Sequence, residues 1–484
     1  MSSNANLSTT VTAHAAASRW QGKRALVLGL GETGLSLVRW LHARGAQVSV
    51  ADSRSQPPGV QDLRALLPQA PLHAGSFVAS LLVDVDLVAI SPGVSRQQAL
   101  VNDAIARGIP VQGDVELFAQ ALAERAALSG RPQPRILAIT GTNGKSTVTI
   151  MTGAMCRAAG CEVQVAGNIS PAVLDALMAR DAAGSVADTW VLELSSFQLE
   201  STESLHADCA SMLNLSEDHL DRHDGMTAYA AAKQRVFHGD GLQVLNRDDP
   251  ASMAMALPGR RVVSFGLDRP AAGQFGLQQQ AGEKWLAQGE DCLMPLSQLP
   301  LAGLHNAANA LAALALCHGI GLPRAPLLQA LREFRGLPHR VALVAEQDGV
   351  RYYDDSKGTN VGSTVAALKG LAQGESKVVL IAGGEGKGQD FAPLAEAARH
   401  TARAVVVIGR DAAEISQVLD FKGIFNKPAG TLADAVALAR SLAQRGDAVL
   451  LSPACASFDM FRNYAHRGEV FCAVVKEMLD AGTH

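Results

Sequence analysis

The sequence predicts an α/β protein of three domains. An N-terminal Rossmann-like domain and a C-terminal Rossmann-like domain flank a central domain of the P-loop ATPase type with a mostly parallel sheet. Three observations support this prediction. The 484 residues are enough for about three domains of ordinary size. Short apolar runs that predict strands alternate with stretches that predict helices. Two glycine-rich turns each follow a predicted strand, at 29–34 and at 141–144.

The composition is that of an ordinary globular protein and argues against several classes. A net charge of −4 without any block of Lys or Arg gives no basis for nucleic-acid binding. No apolar run reaches the ~18 residues that suggest a membrane span. The seven cysteines are scattered and lack C-x-x-C spacing, which argues against a zinc site or a disulfide framework and favours a reducing compartment. Residues 1–20 have no apolar core or basic cluster, so we expect a loose leader and not a secretory signal.

The first domain is assigned to residues 21–112. A predicted strand runs into a G-x-G-x-x-G turn over 29–34, and a helix is predicted after it. The next predicted strand ends at Asp52, about 20 residues beyond the glycines, where a ribose-binding acid lies in dinucleotide-binding folds. Arg54 follows closely and is equally suited to a phosphate. A third predicted strand ends at Ser91. The domain is expected to hold a nucleotide at these strand ends, and which nucleotide stays open.

The central domain is assigned to residues 113–336 and contains Thr-Gly-Thr-Asn-Gly-Lys-Ser-Thr at 140–147. An apolar strand is predicted before this motif and a helix after it. The glycines allow backbone N–H groups to approach phosphate oxygens, and the helix N-terminus adds positive potential. Lys145 is expected to reach the β- and γ-phosphates and Ser146 to contact Mg²⁺. The match to the P-loop pattern is incomplete, because the first glycine of that pattern would fall on Ile139.

Three further features of the central domain suggest chemistry. An apolar strand ends at Glu193, where a carboxylate completes the Mg²⁺ site in phosphate-loop folds, and a polar loop is predicted over 195–200. The motif Asp-His-Leu-Asp-Arg-His at 218–223 could ligate Zn²⁺, but it offers few soft ligands and the nucleotide site requires Mg²⁺ instead. Histidine is an unusual Mg²⁺ ligand. Lys233 lies on the polar face of a predicted helix and, on chemistry alone, is a solvated lysine.

The last domain is assigned to residues 337–484, after a Gly-Leu-Pro hinge at 336–338. Buried-type strands alternate with helix patterns, which predicts a second mostly parallel sheet with binding loops at the strand ends. Two polar loops, 355–360 and 452–459, follow predicted strands and are candidates for binding groups. Swinging of this domain about the hinge is expected on substrate binding.

Five motifs together resemble the Mur ligase family of ATP-dependent amide ligases, which build the peptidoglycan precursor. The motifs are the phosphate loop at 140–147, Gly-Asn-Ile at 167–169, Glu-Leu-Ser-Ser-Phe-Gln-Leu at 193–199, Asp-His-Leu-Asp-Arg-His at 218–223 and Gly-Leu-His-Asn-Ala-Ala-Asn at 303–309. The resemblance covers the chain from about Gly22 to the C-terminus. Within the family it is strongest to the members that add D-glutamate. Folylpolyglutamate synthetases share the phosphate loop, but they typically have Gly-Lys-Gly-Ser where this chain has Gly-Lys-Ser-Thr.

The resemblance implies a cytoplasmic ligase that adds D-glutamate to UDP-N-acetylmuramoyl-L-alanine through an acyl phosphate. Such an enzyme serves peptidoglycan synthesis, and through it cell-wall biogenesis, cell shape and cell division in the cell cycle. The implied cofactors are ATP, Mg²⁺ as two ions, and a CO₂-derived carbamate on Lys233. The expected partners are the small-molecule substrates, and a monomer is expected. Two alternatives stay open: a ligase like folylpolyglutamate synthetase, and an NAD-dependent dehydrogenase suggested by the N-terminal glycines.

The resemblance also implies roles for individual residues. Catalytic roles are implied for Lys145, His219, Lys233 and Arg340. The residues expected at ATP are Gly141, Thr142, Asn143, Gly144, Lys145, Ser146, Thr147, Asn306, Asn309, Arg340 and Asp355. The residues assigned to the UDP substrate are Gly31, Glu32, Thr33, Ser53, Arg54, Ser91, Asn168, Ser195 and Gln198. The residues expected at D-glutamate are Thr359, Lys387, Ser457 and Phe458. The metal ligands are expected to be Ser146, Glu193, His219 and carbamoylated Lys233.

Two positions depart from the family pattern. Glu32 stands where a small apolar residue is usual, which leaves the contacts with uracil open. Ser53 replaces the commoner threonine. No residue is assigned as the general base for the attacking amine.

Overall fold

The computed structural model describes residues 18–220, 222–301, 303–372 and 376–481. The predicted leader, residues 1–20, lies outside this part of the chain except for its last three residues. The chain forms two compact units. The first comprises the chain up to Phe118 together with Ala172–Ala182, and the second comprises the remainder.

The first sheet has five strands in the order β3-β2-β1-β4-β5, and each of its pairings is parallel. Its elements in chain order, with the helix that follows the sheet, are β1 (Arg24–Leu28), α1 (Glu32–Ala43), β2 (Gln47–Asp52), α2 (Val60–Leu66), β3 (Leu72–Ala74), β4 (Leu87–Ile90), α3 (Ala99–Ala106), β5 (Val111–Gln112) and α4 (Asp114–Ser129). Because the strands are parallel, the turn after β1, Asp52 at the end of β2 and Ser91 after β4 share one edge of the sheet.

The second sheet has nine strands in the order β14-β13-β12-β11-β10-β9-β6-β8-β7. Its strands pair in parallel from β7 to β12, and only β12, β13 and β14 pair antiparallel. The elements of this part are β6 (Arg135–Thr140), α5 (Lys145–Ala158), β7 (Val163–Gly167), α6 (Val173–Ala182), β8 (Thr189–Glu193), α7 (Ser196–Glu200), β9 (Cys209–Met212), α8 (Gly225–Gln234), β10 (Leu242–Asn246), α9 (Pro250–Met253), β11 (Val262–Phe265), β12 (Phe275–Gln280), β13 (Glu283–Gln288), β14 (Asp291–Pro295), α10 (Leu304–Gly319) and α11 (Arg324–Glu333).

The third sheet has six strands in the order β15-β16-β20-β17-β18-β19. Only β15 pairs antiparallel with its neighbour. The elements are β15 (Ala342–Gln347), β16 (Val350–Asp354), α12 (Val361–Leu371), β17 (Val378–Gly383), α13 (Ala392–Thr401), β18 (Ala402–Ile408), α14 (Ala412–Phe421), β19 (Asn426–Pro428), α15 (Leu432–Leu442), β20 (Ala448–Leu451) and α16 (Tyr464–Ala481). Separate apolar clusters cover its two faces, as expected when helices pack on both sides of a parallel sheet.

The apolar core of the second unit holds together the two helices that carry the phosphate site. Helices α5 and α10 pack in one apolar cluster, in which Met151 and Met155 of α5 accompany Leu311 and Leu314 of α10. All four side chains are almost fully buried. Close packing of this kind resists displacement, because an interior is as dense as an organic crystal. The N-terminal ends of α5 and α10, which carry the predicted ATP residues, are therefore supported by one rigid core.

The predicted fold class is confirmed, since three mostly parallel sheets are interleaved with helices. Each sheet falls within one predicted domain, at 21–112, 113–336 and 337–484. The boundaries themselves stay predictions. Helix α6 belongs to the first compact unit, although its sequence lies between strands of the second sheet. There its Asp175 accepts two hydrogen bonds from Arg39 of α1. Within the described residues, no helix has both the length and the apolar character needed to cross a membrane.

Candidate active site

The phosphate loop connects β6, in the interior of the second sheet, to the N-terminus of α5. Gly144 is in the left-handed region, with φ 84°. A Cβ atom there would lie 2.6 Å from the side-chain oxygen of Asn309, so position 144 requires glycine for both its backbone and its contact. The loop therefore touches α10, which brings two stretches of predicted ATP residues together.

Two lysines meet beneath this loop. The Lys145 amino group donates to the carbonyl oxygens of Gly141, at 3.0 Å, and Thr142, at 2.9 Å. The Lys233 amino group donates to the same Gly141 oxygen at 2.8 Å. Burial lowers the pKa of Lys145. Burial first, and the charge of Lys145 second, hold the pKa of Lys233 well below its ordinary value. These shifts favour a neutral amine on Lys233.

Chemistry alone predicted that Lys233 is solvated, and this prediction is wrong. Its relative exposure is 1%. The face of α8 that carries Lys233 packs under the phosphate loop, where the carbonyl of Gly141 replaces water as a hydrogen-bond acceptor. Periodicity alone identifies this face as polar, and it does not distinguish solvent from a buried polar site.

Glu193 ends β8 beside the phosphate strand and fits a cation. It is 2% exposed, and its Oε1 accepts a hydrogen bond from the side-chain amide of Asn168 at 2.9 Å. Its Oε2 is buried and has no hydrogen-bond partner. A buried carboxylate oxygen without a partner is costly, and a divalent cation would satisfy it. The charge of Glu193 acts on the pKa of both Lys145 and Lys233, so the predicted residues lie close together.

Arg340 and Ser146 connect the last part of the chain to the phosphate loop. The Arg340 guanidinium donates to the Ser146 hydroxyl at 3.1 Å. Ser146 is at the first turn of α5 and is 2% exposed. The structure thus places a cation from the segment before β15 at the residue predicted to contact Mg²⁺. An arginine at this point can neutralise charge on a transferring phosphoryl group.

His219 lies in a strained turn beside these groups, with φ 56°. Its Nε2 is 3.6 Å from a carboxylate oxygen of Asp218, and its ring meets Phe197 edge-on with centroids 4.9 Å apart. Burial lowers the pKa of His219 despite the charge of Asp218. The neutral imidazole is the form that ligates metals. Asp221 of the same motif lies outside the described residues.

The loop predicted over 195–200 is wrong, because α7 occupies Ser196–Glu200. Ser195 is its N-cap, and Ser195 and Gln198 form a capping box with two reciprocal bonds of 3.2 Å. The spacing Ser-x-x-Gln is the sequence signature of such a box, so this helix start was available to sequence analysis. Two residues assigned to the UDP substrate thus bond to each other, and their substrate role stays a prediction.

His223, from the same motif as His219, has a supporting role that sequence analysis missed. Its ring is 2.9 Å from the Ser196 hydroxyl and 3.4 Å from a carboxylate oxygen of Glu200. It also stacks on Phe197 with ring centroids 5.4 Å apart. The turn that carries His219 is therefore fixed to α7 through the buried side chains of His223 and Ser196 and the partly buried side chains of Phe197 and Glu200.

A cavity of about 240 Å³ lies beside the phosphate loop. The predicted ATP residues that line it are Asn143, Gly144, Thr147, Asn306, Asn309, Arg340 and Asp355. Gly141, Thr142, Lys145 and Ser146 do not line it. The lining residues that sequence analysis did not assign to the site include Asn214, Asn246, Asp248, Phe265, Leu267, Leu301, His305 and Leu337. A cavity with apolar walls and a few polar groups suits a nucleotide base. Several missed residues lie at the carboxyl ends of β10 and β11, where ligands bind in parallel sheets.

Asp355 is a buried acid at the edge of this cavity. It accepts hydrogen bonds from the hydroxyl of Ser452, at 2.7 Å, and from the backbone of Val341, at 3.3 Å. Burial raises the pKa of Asp355 to about 7, even though the Ser452 bond and the nearby Arg340 charge oppose the rise. The carboxyl group therefore changes its charge near neutral pH.

The predicted D-glutamate residues lie in loops that follow three neighbouring strands. Thr359 follows β16, Lys387 follows β17 and Ser457 follows β20. A backbone bridge between Glu385 and Ala456 joins two of these loops. The positive charge of Lys387 is among the influences on the pKa of His219, which places Lys387 near the metal ligand candidates. Phe458 in the last loop is 71% exposed.

Arg467 of α16 holds the same loops, and sequence analysis missed it. The side chain is 1% exposed. Its guanidinium donates to the hydroxyl and the carbonyl oxygen of Ser356, at 3.0 and 2.9 Å. It also donates to the carbonyl oxygens of Cys455 and Ala456, at 3.2 and 3.4 Å. One buried cation thus connects the loop of Thr359 to the loop of Ser457. Burial lowers the pKa of Arg467 to about 10.

In the first compact unit, the acid predicted to meet ribose is already engaged. Asp52 is 2% exposed and accepts hydrogen bonds from the backbone N–H groups of Leu30 and Arg54 and from the Arg54 guanidinium. Burial alone would raise the pKa of Asp52, but these bonds outweigh it and lower the pKa to about 2. Asp52 therefore stabilises the glycine turn through the Leu30 backbone and orients Arg54, whose side chain is half-exposed.

Three family models match successive parts of the chain. They are the MurD-like N-terminal domain of Mur ligases at residues 23–113, the Mur ligase middle domain at 139–317 and the glutamate ligase domain of Mur ligases at 339–455. Together they cover more than half of the chain. The chain belongs to the Mur ligase family.

Relatives of this Mur ligase match it over almost its whole length. It is 56% identical to the UDP-N-acetylmuramoylalanine–D-glutamate ligase of Nitrosospira multiformis, over 95% of this chain and 96% of the relative. It is 58% identical to the enzyme of the same name from Thiobacillus denitrificans, over 94% of this chain and 97% of the relative. The predictions of family and of enzyme class are confirmed, and this Mur ligase is an ATP-dependent ligase.

Solved structures share the fold. The UDP-N-acetylmuramate–alanine ligase of Thermotoga maritima has a TM-score of 0.59 at 20% identity and covers 94% of this chain and 99% of its own. The folylpolyglutamate synthase of Mycobacterium tuberculosis, solved with ADP, has a TM-score of 0.55 at 18% identity and covers 77% of this chain and 98% of its own. At these identities the likeness concerns the fold alone.

Proposed function

We propose that this Mur ligase joins D-glutamate to UDP-N-acetylmuramoyl-L-alanine with consumption of ATP. The proposal rests on the relatives at 56% and 58% identity, which are named for this activity and match nearly the whole chain. The geometry supports it, because Lys145, Lys233 and Glu193 converge on the phosphate loop. The same observations favour a ligase over a dehydrogenase, and they favour it over a folate-directed ligase.

The proposed reaction has two steps. A carboxylate oxygen of the alanyl group attacks the γ-phosphorus of ATP, and the bond from that phosphorus to the bridging oxygen breaks, which gives an acyl phosphate and ADP. The amine of D-glutamate then attacks the acyl carbon, loses a proton, and the tetrahedral intermediate expels inorganic phosphate. A carboxylate is a poor electrophile, so its activation lowers the barrier to amide formation. Lys145 and Arg340 would stabilise charge on the transferred phosphoryl group.

Ser146, Glu193, His219 and a carbamate on Lys233 would hold Mg²⁺, which neutralises charge between the phosphates and the attacking carboxylate. The unpaired Oε2 of Glu193 and the depressed pKa of His219 fit this role. The occupancy by two ions is part of the proposal.

Carbamoylation of Lys233 requires a neutral amine, because the nitrogen lone pair forms the new bond to CO₂ and a proton leaves. Burial and the neighbouring Lys145 favour that neutral form. The product is an anion next to Lys145, which replaces the repulsion of two cations by attraction. The surroundings of Lys233 therefore support a carbamate better than an ammonium.

The assignments of substrates to residues are also proposals. D-glutamate would meet Lys387, Thr359 and Ser457, since a cation and hydroxyl groups suit its two carboxylates. Phe458 would form the apolar wall. The residues proposed for the UDP substrate are Gly31, Glu32, Thr33, Ser53, Arg54, Ser91, Asn168, Ser195 and Gln198. A cytoplasmic location and a monomeric state complete the proposal.

Incorporation of labelled glutamate tests the proposed substrates. Purified protein with ATP, Mg²⁺ and UDP-N-acetylmuramoyl-L-alanine should convert radiolabelled D-glutamate into a UDP-linked product. L-glutamate in its place should give none. A folate-dependent incorporation of L-glutamate would contradict the proposal, and a saturable fluorescence signal with NADH would favour a dehydrogenase instead.

A further inference from the structure

Asn360 connects the last sheet to the phosphate loop. It is the N-cap of α12 and is 4% exposed. Its side-chain oxygen accepts a hydrogen bond from the backbone N–H of Ser363 at 2.9 Å, which caps the helix. Its side-chain amide donates to Oδ1 of Asn143 at 3.0 Å and to Oδ2 of Asp218 at 3.1 Å. Both amide hydrogens and the oxygen of this one side chain are therefore used in the protein interior.

The two acceptors belong to the two elements that matter for phosphoryl transfer. Asn143 is in the phosphate loop, where its backbone N–H donates to the Asn214 side chain at 2.8 Å and its amide donates to the Ser216 hydroxyl at 3.3 Å. Asp218 precedes His219, whose backbone N–H donates to Asp218 at 3.0 Å. Asn360 therefore spans the phosphate loop and the turn of His219 from a third element.

We propose that Asn360 is a positioning residue, which sets the phosphate loop and the His219 turn in the arrangement for phosphoryl transfer when the loop of Thr359 is in place. The proposal rests on the proposed function, because Thr359, the residue before Asn360, is assigned to D-glutamate. Binding of D-glutamate at Thr359 would thereby affect the next residue, Asn360, and through its hydrogen bonds the phosphate loop. A ligase benefits from such a link, because an acyl phosphate formed without its amine is exposed to water.

The chemistry of the three side chains makes the link specific. Asp218 is 7% exposed, and its side-chain oxygen accepts a bond that only a donor at position 360 can provide. Gly362, two residues beyond Asn360, also lies against this contact, because a Cβ atom there would be 2.9 Å from the Ser216 hydroxyl and 3.1 Å from the Asn143 amide nitrogen. The first turn of α12 therefore fits closely against the phosphate loop, and a displaced helix would break both bonds of Asn360.

The replacement Asn360→Asp separates this role from helix capping. Aspartate caps a helix as well as asparagine does, but its carboxylate cannot donate and would repel Asp218. We expect kcat for product formation to fall about tenfold or more, as for loss of a hydrogen bond to a charged group, while KM for ATP changes less than about threefold. Thr431→Ala is the matched control, since it removes the N-cap bond of α15, 3.1 Å long, away from the site. It should leave kcat unchanged.

A swap of the two side chains provides a second, independent test. In the double variant Asn360→Asp with Asp218→Asn, the donor and acceptor exchange places, and the Asn143 amide can turn over to donate to the new carboxylate. We expect kcat of the double variant to be at least about fivefold higher than kcat of Asn360→Asp. If Asn360→Asp acted only by destabilising α12, the second substitution would not restore kcat. Asn360→Ser keeps a capping oxygen, but its side chain is too short to reach Asn143 and Asp218. It should also lose kcat, and it replaces Asn360→Asp in the test if that variant does not fold.

The results separate the two proposals. If Asn360→Asp, folded by its melting curve, keeps kcat within about twofold of the wild type, or if the double variant recovers nothing although Asp218→Asn alone stays active, Asn360 has no positioning role. If the wild type itself makes no product from D-glutamate, the proposed function fails, whatever the variants do.

Discussion

The amino groups of Lys145 and Lys233 donate to the same carbonyl oxygen, that of Gly141, at 3.0 and 2.8 Å. Two ammonium groups at one acceptor would repel each other, and burial strengthens that repulsion because water no longer screens it. Burial first, and the charge of Lys145 second, accordingly lower the pKa of Lys233. In the proposed function the two lysines have different tasks: Lys145 would be a cation for phosphate, and Lys233 would be a neutral amine that can take up CO₂.

Replacement of Lys233 should reveal the anion that it is proposed to carry. Lys233→Ala is expected to lower the rate of product formation about a hundredfold or more, because the proposed metal ligand would be lost. Acetate or another short carboxylic acid should restore part of the rate by supplying a carboxylate in the space left by the side chain. Steady-state rates with and without acetate provide the measurement.

Lys145→Ala is the matched control for this experiment, since both lysines bond to Gly141 and only one is proposed to be an anion. Acetate should not restore Lys145→Ala. Equal restoration of both variants would show that acetate acts elsewhere, and restoration of neither would count against the carbamate on Lys233.

Arg467 should control the binding of D-glutamate without touching it. Arg467→Lys keeps the positive charge but loses the planar fork that reaches Ser356, Cys455 and Ala456 together. The loops of Thr359 and Ser457 should then move independently. We expect KM for D-glutamate to rise about tenfold, as for the loss of one or two hydrogen bonds, with KM for ATP unchanged. Arg440→Lys, which alters an exposed ion pair with Asp348, should change neither, and an unchanged KM for D-glutamate in Arg467→Lys would contradict this account.

The parts of the fold and site that were predicted correctly depend on local sequence. The phosphate loop combines a strand, two glycines, a lysine and a helix start within residues 136–147, so the pattern predicts the structure directly. Glu193 was placed correctly because an apolar run fixes where β8 ends. The parallel sheets followed from alternating strand and helix patterns.

The parts that were not predicted depend on packing between distant segments. Lys233 looks like a surface cation, since a helix pattern with one charged residue on its polar face predicts exposure, and nothing in the sequence marks Arg467 as a buried residue. Both are buried because another segment supplies carbonyl oxygens that replace water. Residues that line the cavity, such as Asn246 and Phe265, end neighbouring strands, and their convergence depends on strand order. Helix α7 is different, because its capping box was visible in the sequence.

Asp355 should make stability depend on pH in a defined direction. Its pKa is raised from 3.8 to about 7 by burial. Between the pKa of Asp355 in the unfolded chain and its pKa in the folded protein, the unfolded chain has lost this proton and the folded protein still holds it. The carboxyl group therefore lowers the free energy of unfolding progressively as the pH rises through this range. The effect levels off above about pH 7. Asp355→Asn removes the effect. The free energy of unfolding of the variant relative to wild type should therefore increase by roughly 2 kcal/mol between about pH 5 and pH 7.

Urea denaturation of both proteins at several pH values measures this difference. Asp348→Asn, which alters an acid that is 69% exposed, is the control and should show no comparable trend. A difference between Asp355→Asn and wild type that is constant over this pH range would show that the carboxyl group of Asp355 is already ionised at low pH.

The central claim is that phosphate transfer takes place at the loop of Lys145, and phosphate release from ATP tests it most directly. With UDP-N-acetylmuramoyl-L-alanine present, the wild type should release phosphate when D-glutamate is added. Lys145→Ala should lose this release by about a thousandfold, because the cation at the transferring phosphoryl group is gone, and the exposed Lys284→Ala should behave as wild type. Unchanged release by a folded Lys145→Ala protein would contradict the account.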